Sequence, residues 1–136
     1  MTQTFNLGPH LQAFIGTDGV AELVFGPEGG MPFTDQQGHA ELGTIWARRA
    51  AEPGVRAILV RSIGKGFCAG GTPDVVQVML DSRASRLRVM REGRAIVQGM
   101  IDCDIPIVSA INGAAVGAGA AVALLADISV AGHKAK

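Results

Sequence analysis

Two short stretches limit what this chain can fold into. "GKGFCAGGT", Gly64 to Thr72, carries four glycines and no acid. "NGAAVGAGAA", Asn112 to Ala121, is built almost entirely of glycine and alanine. Each follows an apolar run that reads as a buried strand, "VRAILVRS" (Val55 to Ser62) and "IPIVSAI" (Ile105 to Ile111), and each precedes a helical pattern. A strand that empties into small residues and then a helix exposes main chain where side chains have little to offer. The first helical N–H groups are unpaired and carry a partial positive charge, and small residues let a ligand reach them. Such a unit suits an anion or a polarised carbonyl. On spacing alone, phosphate binding and tight strand–helix packing fit as well.

The rest of the chain bounds the setting. With 136 residues, 48% apolar and 18% charged, it is long enough for one domain with a real core. Twelve basic residues balance twelve acidic ones, so neither nucleic acid nor an anionic membrane is expected as a partner. Cys68 and Cys103 make no metal-ligand spacing, which points to a reducing, cytoplasmic compartment. "MTQTFNLGPHLQ" lacks the basic start and apolar run of a leader. Ile105 to Ala126 has no charge over a span-like length. Pro106 and the turn signal Asn112–Gly113 favour instead a strand, a turn and a buried helix.

Along the chain, "LQAFIG" and "VAELVFG" flank "TDG" as a hairpin, and Pro27 to Pro32 is a loop. Thr34 and Asp35 can cap a helix running to about Ala51, with His39, Leu42, Ile45, Trp46 and Arg49 on one face. Pro73 opens a helix to about Leu80, and a second runs from about Ala84 to Ile101. Gly117 to Leu125 reads as a helix and Asp127 to Gly132 as a further strand. Strands alternating with helices predict an α/β architecture on a largely parallel sheet. The last strand has no following partner, so the chain is expected to be the front portion of a longer domain.

Most chemistry-bearing side chains have plain readings. Cys68 lacks a histidine to activate it and reads as a packed thiol, as does Cys103. His39 sits on the apolar stripe; His10 and His133 carry no partner signal. Asp102 and Asp104 fit a solvated helix end, and Asp127 a structural cap. Arg83, Arg86, Arg88, Arg91 and Arg94 spread around a solvated helix, with phosphate or subunit contact as the other reading. Ser62 and Ser109 have no accompanying His and Asp for peptidase chemistry. "GAGAAV" lacks the context of a dinucleotide fingerprint.

Together, "GKGFCAGGT" and "IPIVSAINGAAVGAGAAVALLADISVAG" resemble the crotonase family, the enoyl-CoA hydratase and isomerase superfamily. Its members carry stretches like "GKAFCAGxD" and "KPVIAAVNGxAxGGGxELALACDIxIA" in that order. The resemblance covers roughly Val20 to the end. It implies a spiral of ββα turns, with residues 1–136 as the N-terminal part of a single domain and the C-terminal trimerisation helices absent. It implies a trimer or a dimer of trimers. It also implies an acyl-CoA thioester substrate, coenzyme A being part of that substrate and no separate cofactor needed. By motif position, Gly71 and Ala118 would supply two main-chain N–H groups to the thioester oxygen. Ala69, Gly70, Gly71 and Gly117 would line the CoA ester, the loop at Ala69 and Gly70 lying near its adenine end. Hydration or isomerisation of a double bond beside the thioester is the implied chemistry. An acyl-CoA-binding or assembly module without turnover is the alternative. Three features depart from the family pattern. Ala121 stands where hydratases place a proton-handling glutamate, Thr72 where aspartate is common, and Gly29–Gly30 in a loop that commonly holds a Lys or Arg.

Overall fold

A computed structural model describes residues 3–136. Met1 and Thr2, the start of the stretch read as lacking a leader, lie outside the described residues.

Among the described residues, six strands form one sheet in chain order: β1 Gln3–Asn6, β2 Leu11–Ile15, β3 Val20–Phe25, β4 Ala57–Ser62, β5 Ile107–Ile111 and β6 Ile128–Ala131. The hairpin of β2 and β3 is antiparallel as expected, and β1 adds to it antiparallel. From β3 onward the pairings are parallel, with Val20 opposite Ala57, Ile58 opposite Ile107 and Val108 opposite Ile128. The sheet is therefore mixed. Its parallel part is the part whose crossovers carry helices, because parallel neighbours need a long return.

The helices are α1 Gln36–Leu42, α2 Ile45–Ala50, α3 Pro73–Asp81, α4 Arg83–Ile101 and α5 Ala118–Leu125. One helix was expected from Asp35 to Ala51; two are found. Asp35 caps the first, its carboxylate accepting from the Gly38 N–H at 2.8 Å. The break falls at Gly43–Thr44, where both N–H groups turn back three residues, to Ala40 and Glu41. Glycine and threonine are poor helix formers. A Cβ on Gly43 would also stand 3.2 Å from the Ala95 Cβ of α4. The buried stripe survives the break: His39, Leu42, Ile45, Trp46 and Arg49 are all buried.

Strand residues alternate toward one core, Leu11 and Ala13, Ala21, Leu23 and Phe25, Ile58 and Val60, Ile107 and Ile111. Trp46, Ile96, Met100 and Val122 close over them from the helices. Asp127 is structural as read, its carboxylate accepting from the Ile107 N–H at 2.8 Å. Strand β6 is exposed along its length. Among the described residues, no helix is long and apolar enough to cross a membrane.

Candidate functional site

The first glycine loop starts with a serine. The Ser62 hydroxyl donates to the Gly66 carbonyl at 2.7 Å and accepts from the Gly64 N–H at 2.9 Å, folding the chain back on itself. Beyond it the main chain runs between two others. On one flank, Lys65 N–H donates to Gly30 O, Ala69 N–H to Pro32 O, and Thr72 N–H to Thr34 O. On the other, Phe67 and Cys68 N–H donate to Ala114 O, and Val116 N–H to Cys68 O at 2.9 Å. The Ala115 N–H continues the series to Lys136 O. A second layer of main-chain pairing thus joins residues 30–34, 65–72, 114–116 and 136.

Within that layer the peptide between Gly70 and Gly71 is turned over. In a regular strand, an N–H at Ala69 and a carbonyl at Gly70 would face opposite edges. Here both face the 32–34 segment: Gly70 O accepts from the Thr34 N–H at 2.8 Å. Gly70 has φ +87°, a conformation natural to glycine, and this permits the reversal. A trans peptide holds its carbonyl and N–H in opposite directions. The Gly71 N–H therefore points away from Thr34, toward the side on which residues 114–118 run.

The second loop meets it there. A Cβ on Gly117 would stand 3.7 Å from the Gly70 Cα, and one on Gly70 only 2.9 Å from Val116 O. The Gly117 carbonyl accepts from Ala121 within the first turn of α5. The Ala118 N–H accordingly points backward out of the helix start. Among the described residues, neither the Gly71 nor the Ala118 N–H donates to a main-chain or side-chain acceptor. Each donor follows directly on one of the two glycines that touch. Gly71 and Gly117 are exposed, Ala69 and Ala118 half-buried, and Gly70 buried.

Thr34 was read only as a helix cap. Its main chain instead fixes the Gly70–Gly71 peptide, a role carried by no side chain and so not marked by residue type. Ala121 is half-buried on α5, which has no carboxylate.

The other candidates stay with their plain readings. His39 is buried with Nδ1 3.0 Å from Glu92 Oε2. Arg88 is engaged by the same Glu92 at 3.0 Å, and Arg86 Nε donates to the Met79 carbonyl. All five arginines of α4 are exposed. The Ser109 hydroxyl donates to the Ala123 carbonyl and so serves α5 rather than a nucleophilic role. Cys68 is fully buried, and burial pushes its thiol pKa up. Cys103 is half-buried, its Sγ 3.4 Å from Ile105 O. A thiol reagent is expected to label Cys103 alone in the native chain and to reach Cys68 only on unfolding. Mass spectrometry of the labelled peptides checks this; early modification of Cys68 would contradict the packing described.

Comparison with known proteins gives a consistent picture. The family described as Enoyl-CoA hydratase/isomerase matches residues 33–136. A probable enoyl-CoA hydratase of Mycobacterium tuberculosis is 37% identical over 97 residues, which are 71% of this chain and 37% of that protein. The 1,2-epoxyphenylacetyl-CoA isomerase of Escherichia coli is 33% identical over 112 residues, 81% of this chain and 42% of that protein. The crystal structure of a putative enoyl-CoA hydratase from Streptomyces coelicolor superposes with TM-score 0.79 at 30% identity, covering 93% of this chain and 46% of that one. The chain spans less than half the length of these relatives. With the spiral of strand, glycine loop and helix repeated twice, and the family matched across both loops, the chain belongs to the enoyl-CoA hydratase/isomerase family, the crotonase superfamily.

Proposed function

We propose that the chain holds an acyl-CoA thioester with its carbonyl oxygen between the N–H groups of Gly71 and Ala118. The observation that carries this is the reversed Gly70–Gly71 peptide, which leaves one unpaired N–H turned toward the start of α5. Two donors aimed at one oxygen favour the enolate over the thioester, because the negative charge develops on that atom. In hydration, the water oxygen bonds to C3 as the water gives up one proton, the π electrons move onto the thioester oxygen, and on their return C2 takes a proton. Isomerisation instead takes a proton from C2 and returns one at C4, through a dienolate whose oxygen is held by the same two N–H groups. Ala69, Gly70 and Gly117 line the CoA ester in this reading. The protein works in the cytoplasm as a homotrimer or hexamer.

Proton transfer is not assigned to a residue of this chain. Ala121 and the lack of any carboxylate on α5 favour a second reading, in which the cradle binds an acyl-CoA without turnover. Calorimetric titration with butyryl-CoA, paired with a crotonyl-CoA hydration assay, separates the two. Binding with turnover supports the enzyme, and binding without turnover the module. Absence of binding counts against both.

A further inference from the structure

Gly119 is buried on the first turn of α5, directly after Ala118. A Cβ on it would fall 2.3 Å from Cys68 O and 2.6 Å from Cys68 Cβ, closer than real side chains approach main chain. Cys68 has little freedom to retreat. It is fully buried, its N–H is bound to Ala114 O and its carbonyl to Val116 N–H. The far end of α5 is fixed as well, because the Ser109 and Ser129 hydroxyls both donate to Ala123 O at 2.7 Å. Any side chain at Gly119 must therefore be relieved at the N-terminal end of α5, by about 1.1 Å or more if ordinary contact is to be restored. That end carries the Ala118 N–H.

We infer that Gly119 is a positioning residue, whose missing side chain sets the distance between the Ala118 N–H and the Gly71 N–H. This rests on the proposed carbonyl site. A displacement of about 1 Å in a group that orients a reacting atom can cost about 10²-fold in rate. Alanine at this place improves helix propensity, so a loss of function would run against the local preference.

The test uses butyryl-CoA labelled with ¹³C at the thioester carbonyl and follows its resonance on binding. In the wild type, two N–H donors polarise the carbonyl and move the resonance downfield of the free ligand. In Gly119→Ala that displacement is expected to fall by at least half. Affinity should change by no more than about threefold, because an interaction of the polarised carbonyl is lost rather than a CoA contact. Gly93→Ala, on α4 with its nearest neighbour 4.0 Å from the added carbon, should keep the full displacement. Should Gly119→Ala fail to fold, Cys68→Val presses on the same turn from the strand side and should give the same loss. Full displacement in a folded variant of either kind overturns the positioning role alone. No displacement in a wild type that binds the ligand overturns the carbonyl site and this inference with it.

Discussion

Replacing Ala118 by proline should lower turnover by about 10²- to 10³-fold while leaving the fold in place. Proline deletes the one atom the reading depends on, the N–H at this position, and adds only a short ring. Elsewhere in a helix the substitution would break a hydrogen bond and clash with the preceding turn. Ala118 is the first residue of α5, where the N–H has no intrahelical partner and proline's fixed φ suits the helix. The preceding residue is Gly117, which has no Cβ to meet the ring. The predicted loss is that of one oxyanion donor. Because the ring Cδ takes the place of the N–H hydrogen, where the carbonyl oxygen approaches the nitrogen, kcat/KM should fall at least as far as kcat. Thermal unfolding followed by circular dichroism should shift little. If the chain binds without turnover, the same substitution should reduce the carbonyl displacement of bound labelled butyryl-CoA. Unchanged kinetics, or an unchanged resonance, in a folded Ala118→Pro protein would remove Ala118 from the site.

The glycine loops were legible because their composition is unusual between a strand and a helix, and the helices α3, α4 and α5 fell within a residue or two of their expected bounds. Strand β1 was not read. "TFN" and its neighbours are short, largely exposed and show no alternation long enough to mark a strand. The break between α1 and α2 was missed because the buried stripe continues through it; only the i−3 hydrogen bonds at Gly43 and Thr44 reveal it. In the site, Gly71 and Ala118 were singled out by the family resemblance rather than by residue type, and the direction of their N–H groups comes from elsewhere. The Gly71 N–H is turned by the pairing of Gly70 with Thr34, more than thirty residues upstream, and a main-chain bond leaves no mark on side-chain pattern. The same holds for Gly119, whose glycine is explained by a carbonyl on a different loop.

Trp46→Ala should cost about 3–5 kcal/mol, a large share of the 5–15 kcal/mol that holds a domain of this kind. Trp46 is fully buried on α2 and heads the large side chains of the core. It fits against α4 at Gly99, where an added Cβ would stand 2.8 Å from the indole Cδ1. Truncation leaves a cavity between these helices that neither can fill, since Gly99 offers no side chain and Gly43 and Ala95 already bring α1 and α4 close. Trp46→Phe should behave differently. The indole Nε1–H is buried with no acceptor among the described residues, and an unpaired buried donor costs about 1–3 kcal/mol. Phenylalanine gives up some packing but removes that donor, so its net cost should stay below about 1.5 kcal/mol. Trp46 is the only tryptophan in the chain, so urea titration must be followed by far-UV circular dichroism rather than fluorescence. A Trp46→Phe loss as large as that of Trp46→Ala would mean that the indole N–H has a partner in solution.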